Sequence, residues 1–445
     1  MLQRKYRSQG KLLRILGVGF GLAVVIGAII GVGIFRLPGP IAGLLGKTWL
    51  ILLVWVLGGI FTLLNANYTS ELATMIPREG GPYVYARRAF GDFAGFVVGW
   101  SDWFGNTASL SYLSIALAEY LIALFAFSFV GVVSIAIGLL LLLIFLNWIG
   151  LRAGSETQEV TSFLKGVALL SIVVACFVLG YGHGTVNAGR TVPLSPASPF
   201  SPVVGIVLSF QLILGAYGGW NSAIYFAEED ENPSRDIPRS LHGGVLLVMT
   251  IYLLVNLALI HLLPISQLAS SKLAAADAMQ VVFGTLGGKI VTAFALLSIL
   301  GVLNAILMFT PRTLYALARD GLFSSKALTV NKGGTPTVAL AVTAAVALIL
   351  IPMGTFEKLM ALYAFFAIAN NIVLVGALFA LRTRSPDLPR PFKTWAYPFA
   401  PLGVLFVSLA LFVGFIVSDT RNSIYALVIL AASYPLYRLL KPETG

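Results

Sequence analysis

Gly27-Ala28-Ile29-Ile30-Gly31-Val32-Gly33-Ile34-Phe35 puts three glycines in the middle of an apolar run spanning roughly residues 17–45. Each glycine disfavours a helix interior by about 1 kcal/mol relative to alanine, so the cluster is compatible with a backbone that unwinds there. Much further on, Gly215-Ala216-Tyr217-Gly218-Gly219-Trp220-Asn221 repeats the device inside another apolar run. Small residues at close helix contacts in a membrane would give a similar composition. Position separates the two readings. The clusters fall in the first and sixth of twelve apolar segments, equivalent places in two five-segment halves. Glycine-interrupted segments at corresponding positions point to an inverted-repeat transporter with its site at the bilayer midplane.

The rest of the chain supports a membrane setting. Of 445 residues, 58% are hydrophobic and only 11% charged, against about 25% charged in a soluble protein. Apolar segments follow at roughly 48–75, 92–122, 130–149, 157–180, 202–227, 240–263, 280–317, 336–352, 356–381, 395–418 and 422–440. They divide the chain into an N-terminal segment (1–16), a first five-helix repeat (17–180), a second, inverted one (202–381) and two added helices (395–440). The expected fold is therefore all-α, with twelve transmembrane helices, a 5+5 inverted-repeat core and broken helices 1 and 6.

The net charge of +11 would suit a nucleic-acid partner if the cations clustered on one surface, but they follow the loops. With the N-terminus inside, 21 Lys and Arg fall on the inner side, among them Arg4, Lys5, Arg7, Lys11 and Arg14. Seven fall outside: Arg36, Lys47, Arg190, Lys272, Lys289, Lys358 and Arg421. That split obeys the positive-inside rule and predicts both termini in the cytoplasm, at a plasma (inner) membrane. The basic charge is thus explained by topology, with no nucleic acid required.

An unwound stretch inside a membrane must line a cavity and find polar partners there. A zwitterion offers both kinds. The half-helix that begins near Gly33 aims N–H groups and a positive dipole end at the cavity, which suits a carboxylate. Carbonyls near Ile29, Gly215 and Gly218 are expected to accept from an ammonium. Gly31, Val32 and Gly33 in the first break, and Tyr217, Trp220 and Asn221 in the second, complete the expected main-chain site. Asn106 and Asn304 are candidates for the side-chain part of the cavity, each equally suited to an interhelical hydrogen bond.

These residues resemble a family. With Pro77-Arg78-Glu79-Gly80-Gly81-Pro82-Tyr83-Val84-Tyr85, Glu228-Glu229, Asn232-Pro233, Ile237-Pro238-Arg239 and Arg312 through Arg319-Asp320-Gly321, the chain is similar to members of the amino acid, polyamine and organocation (APC) transporter superfamily. Tyr217-Gly218-Gly219-Trp220-Asn221 and Arg390-Pro391-Phe392-Lys393 are most similar to its L-type amino acid transporter branch. The resemblance covers about residues 14–440 and implies alternating access for neutral L-amino acids. Val32 departs from the serine of many relatives, so carboxylate binding would rest on the backbone. Asn221 stands where diamine carriers tend to have glutamate, which argues against polyamines.

Two ionisable residues lie inside spans. Asp102 is ten residues past Asp92 and Lys165 nine past Glu156, which puts both roughly 13–15 Å deep. Charges at that depth are functional by default. The resemblance places Lys165 where sodium-coupled relatives hold sodium, as a fixed cation surrogate or a proton-coupling group. Asp102 either takes part in that coupling, pairs with Lys165, or orders its own helix. The leading expectation is sodium-independent exchange, with a proton-coupled symporter or a carrier of cationic amino acids or polyamines as alternatives.

Other chemistry finds no foothold. His183, His242 and His261 make no metal-ligand pattern, and no cofactor is implied. No nucleotide-binding Gly-x4-Gly-Lys-Ser/Thr run and no catalytic constellation stand in the chain, which argues against a pump or an enzyme. A channel would show a repeated pore loop or ring-forming residues. Cys176 reads as core, and Glu228 to Glu231 as a solvated inner loop with a contact to arginine.

Overall fold

The computed structural model describes residues 17–125, 131–149, 152–180, 202–331 and 333–440. The N-terminal cations, His183 and Arg190 lie outside those residues. All regular structure described is helical, apart from an isolated bridge between Val330 and Pro336.

The first apolar run is three helices rather than one interrupted once: α1 (Val18–Ile29), α2 (Val32–Arg36) and α3 (Pro38–Leu45). The first gap falls at Ile30 and Gly31. The second is the junction at Leu37, where Pro38 occupies the first turn of α3; proline needs no N–H partner there. Next come α4 (Thr48–Met75), α5 (Pro82–Phe90), α6 (Asp92–Phe125), α7 (Val132–Ile149), α8 (Arg152–Val178) and α9 (Pro202–Ala216). A turn and a short 3-10 helix (Ser222–Phe226) lead to α10 (Pro233–Leu262) and α11 (Ile265–Ser270). The chain closes with α12 (Ala274–Arg319), α13 (Thr337–Met353), α14 (Phe356–Arg384), α15 (Phe399–Ser418) and α16 (Thr420–Leu440). α12 kinks at Gly284, whose φ of 66° lies in the left-handed region that glycine enters without penalty.

Among the described residues nine helices are long and apolar enough to cross a membrane, counting Val18–Arg36 as one. Three shorter apolar helices, Val132–Trp148, Val203–Ala216 and Thr337–Met353, lie in the remaining expected segments. Helix α6 packs along both α12 and α14, and α10 lies against α1, α4 and α8. Large apolar side chains such as Phe163, Phe406 and Leu439 are more than 70% exposed. Apolar surface of that kind is what lipid, not water, would cover.

Candidate functional site

The two breaks meet. α1 ends at Ile29 and α2 begins at Val32, with no side-chain cap on its first N–H groups. α9 ends at Ala216, and the turn that follows carries Gly219 at φ +89°. A Cβ on Gly33 would lie 2.8 Å from the Ala216 Cα, and one on Gly219 would lie 2.7 Å from the Ala28 Cβ and 3.1 Å from the Ala28 carbonyl oxygen. Each broken helix therefore presents a glycine to the backbone of the other. Gly31 faces the Val302 side chain instead, its added Cβ meeting Cγ2 at 2.9 Å.

A cavity opens beside this contact, lined by Ile29, Gly31, Val32, Gly33, Gly215 and Gly218 from the breaks and by Asn106, Tyr112, Phe309 and Tyr363 from α6, α12 and α14. Trp220, Tyr217 and Asn221 line a second, adjoining cavity together with Asp102 and Asn106.

Two of the three carbonyls expected to be free, Ile29 and Gly215, already accept a hydrogen bond, as do others near the first break. The Tyr252 hydroxyl donates to Ile29 O (2.9 Å) and also faces Ala216 O (3.2 Å). Ser298 donates to Ile30 O (2.8 Å), Ser162 to Ala23 O (2.7 Å) and the Lys165 ammonium to Gly27 O (3.0 Å). Gly218 N–H donates to Gly215 O at 3.2 Å within its own turn. A buried carbonyl left unpaired is costly; the Ile29 and Gly215 carbonyls each have one donor, keep a second lone pair, and both residues line the cavity.

Three further placements concern residues for which the sequence reading held alternatives open. Asp102 and Lys165 do not pair: both Asp102 oxygens accept from Tyr225 (2.8 and 2.7 Å), while Lys165 is buried against Gly27 and close to Gly301. Asp102 is held by the short 3-10 helix after α9, and Lys165 by α1 beside α12. Asn304 lines neither cavity; its Oδ1 accepts from Asn147 at 3.0 Å, tying α12 to α7. The Glu228–Glu231 segment is only partly solvated, because two of its carboxylates pair with buried or half-buried arginines.

Those pairs belong to ion clusters at both ends of the bundle. At the predicted inner end Arg312 bridges Glu79 (3.0 Å) and Glu229 (3.1 Å) and lies over the Phe226 ring. Arg319 holds Glu228 at 3.0 Å, and Asp320 accepts from Tyr83 (2.8 Å) and Arg87 (2.7 Å). Burial pushes the neighbouring Asp230 carboxyl up to about 6, although it accepts from Asn232 N–H. At the predicted outer end Arg36, on α2, pairs with Glu119 and with Glu357 (2.8 Å) and stacks over Phe356. Both broken helices are therefore latched to their neighbours by charge. Tyr252, Ser298, Tyr225 and the Arg36 cluster escaped the sequence reading, since none sits in a marked motif.

A profile of the family described as amino acid permease matches residues 21–434. The chain belongs to the amino acid permease family, within the APC superfamily. It is similar to the serine/threonine exchanger SteT of Bacillus subtilis (strain 168), 29% identical over 96% of each chain. It is also 28% identical to the b(0,+)-type amino acid transporter 1 of Mus musculus, over 91% of this chain and 83% of that one. The large neutral amino acids transporter small subunit 2 of Homo sapiens is 29% identical over 85% of this chain and 71% of its own length. This permease is an integral membrane transporter of amino acids and not an enzyme, and the expected resemblance to the L-type branch is upheld by these relatives.

Proposed function

We propose that this permease exchanges neutral L-amino acids without sodium, by alternating access in a twelve-span, 5+5 inverted-repeat fold. The single observation that carries the reading is the reciprocal approach of the two glycine breaks, Gly33 to Ala216 and Gly219 to Ala28, beside a cavity that both breaks line. In this reading the first repeat runs over 17–180, the second over 202–381, and the last two helices over 395–440. Both termini face the cytoplasm across a plasma (inner) membrane. The substrate carboxylate takes the uncapped N–H groups at Gly31, Val32 and Gly33. Its ammonium takes main-chain carbonyls of the second break near Gly218, with Tyr217, Trp220 and Asn221 beside it and Asn106 opposite.

Lys165 is the fixed cation. Its ammonium donates to Gly27 O and sits against Gly301, so one charge ties α8 to α1 at the point where α12 passes. An ammonium there takes the place a sodium ion would need. The relatives named as exchanger and as neutral amino acid transporter support exchange over net uptake. Asp102 supports the alternative, proton-coupled reading, because it is a carboxylate on a cavity wall.

Counterflow in proteoliposomes with a panel of labelled amino acids, at two pH values and with and without sodium, tests the function. Exchange of neutral amino acids that is indifferent to sodium and pH is expected. Substrate-driven acidification of the lumen, stoichiometric with uptake, would replace exchange by proton symport.

A further inference from the structure

The cavity at the breaks adjoins a larger one, and Asn106 and Tyr363 line both. The larger cavity lies nearer the predicted inner end: α6 lines it with 101–106, whereas it lines the first with 106–113. The two differ in chemistry. Beyond Asn106, the first is walled by glycines, Val302, Ile306 and Phe309, with Ser109 and the hydroxyls of Tyr112 and Tyr363 as its polar groups and no further carboxamide. The second is walled by Asn65, Thr69, Asn221, Asn370 and Asn371.

Several of these polar groups lack a protein partner. Asn65 Oδ1, Thr69 Oγ1 and the Tyr217 hydroxyl are buried with no hydrogen bond, on residues only 1% exposed. Asn370 Oδ1 accepts from Ser101 at 2.7 Å and Asn371 Oδ1 from Tyr68 at 3.3 Å, which orients both amides and leaves their nitrogens as donors. Buried polar groups are as a rule hydrogen-bonded, so a cluster of unpaired ones on one cavity wall needs a partner that is not protein.

We infer that this second chamber receives the side chain of the substrate and selects one with an uncharged hydrogen-bonding group, a carboxamide above all. The inference rests on the amino acid reading above. A zwitterion seated on the breaks has its side chain directed past Asn106 and Tyr363. The wall beyond supplies an acceptor (Asn65), hydroxyls that both accept and donate (Thr69, Tyr217) and donors (Asn370, Asn371) together. A carboxamide both donates and accepts. An ammonium would satisfy the acceptors and strand the donors. An aliphatic side chain of the same length would strand both sets. A site built to hydrogen-bond its substrate discriminates strongly against an analogue that lacks the group.

The test is counterflow in proteoliposomes of the full-length wild-type chain, competed by alanine, glutamine, leucine and lysine. Glutamine should compete about tenfold or more better than leucine, and better than lysine. Thr69→Val removes an unpartnered hydroxyl without breaking a protein hydrogen bond, and Asn65→Leu removes an unpartnered carbonyl at the loss of one bond to its own helix. In each, the preference for glutamine over alanine should fall at least threefold. Leucine competing as well as glutamine, or a preference unmoved in both variants, overturns the inference and leaves the chamber a water path. If the wild type carries no amino acid, the transport reading fails and takes this one with it.

Discussion

The Tyr252 hydroxyl donates to the carbonyl of Ile29, the last residue of α1, at 2.9 Å, and the same oxygen lies 3.2 Å from the carbonyl of Ala216, the last residue of α9. One hydroxyl on α10 therefore serves the C-terminal ends of both broken half-helices. Trp55 and Tyr217 pack against its ring and hold it in place.

Tyr252→Phe keeps that packing and removes the clasp. Leaving buried carbonyls without a donor costs about 1–3 kcal/mol. The variant should fold, melt at a lower temperature in detergent, and show weaker apparent affinity for every substrate alike. Equilibrium binding alongside a thermal melt checks this; an unchanged melting temperature would show that another donor takes the carbonyls.

Gly33 and Gly31 should respond unequally. An alanine Cβ at Gly33 meets backbone, 2.8 Å from the Ala216 Cα, whereas at Gly31 it meets only the Val302 side chain. Backbone cannot step aside as a rotamer can. Gly33→Ala should abolish binding in protein that still elutes as a folded species. Gly31→Ala should weaken binding by a smaller factor, recovered in part by Val302→Ala. Equal losses in the two single variants would argue against a direct contact between the breaks.

Transport should be indifferent to replacing sodium by choline, because the Lys165 ammonium already occupies the space between Gly27 and Gly301. Lys165→Ala should slow exchange more than it weakens substrate binding, as it removes the tie between α8 and α1. A saturable sodium dependence in the wild type would contradict the fixed-cation role.

Asp230 predicts a pH effect on stability. Burial raises its carboxyl from 3.8 to about 6, so the folded state favours the protonated form. Its contribution is fully present below the unfolded value of 3.8 and is lost as pH rises through about 6. Asp230→Asn keeps an acceptor for Asn232 N–H and does not ionise. Its melting temperature should exceed that of the wild type at pH 7.5 and match it at pH 4. A constant offset across that range would mean that the carboxyl is not perturbed.

Membrane residence, the location of the two breaks and the distribution of cations are all legible in the sequence, because each is a property of composition or of local backbone preference. Gly27, Gly31 and Gly33, and Gly215, Gly218 and Gly219, mark the unwound stretches whatever surrounds them. What the chain does not encode locally is how each helix turns about its own axis. In a soluble helix a single apolar stripe reveals the buried face. Here α7, α9 and α12 are apolar nearly all round, since lipid and protein interior present similar surroundings, so their rotation is decided only when neighbours pack. That packing sent Asn304 toward Asn147 and not into the cavity, and turned Asp102 to Tyr225 with Lys165 elsewhere, on Gly27. It also brought Tyr252, which no motif marks, to both broken helices. Depth along a helix could be counted from the sequence; direction around it came from the tertiary contacts.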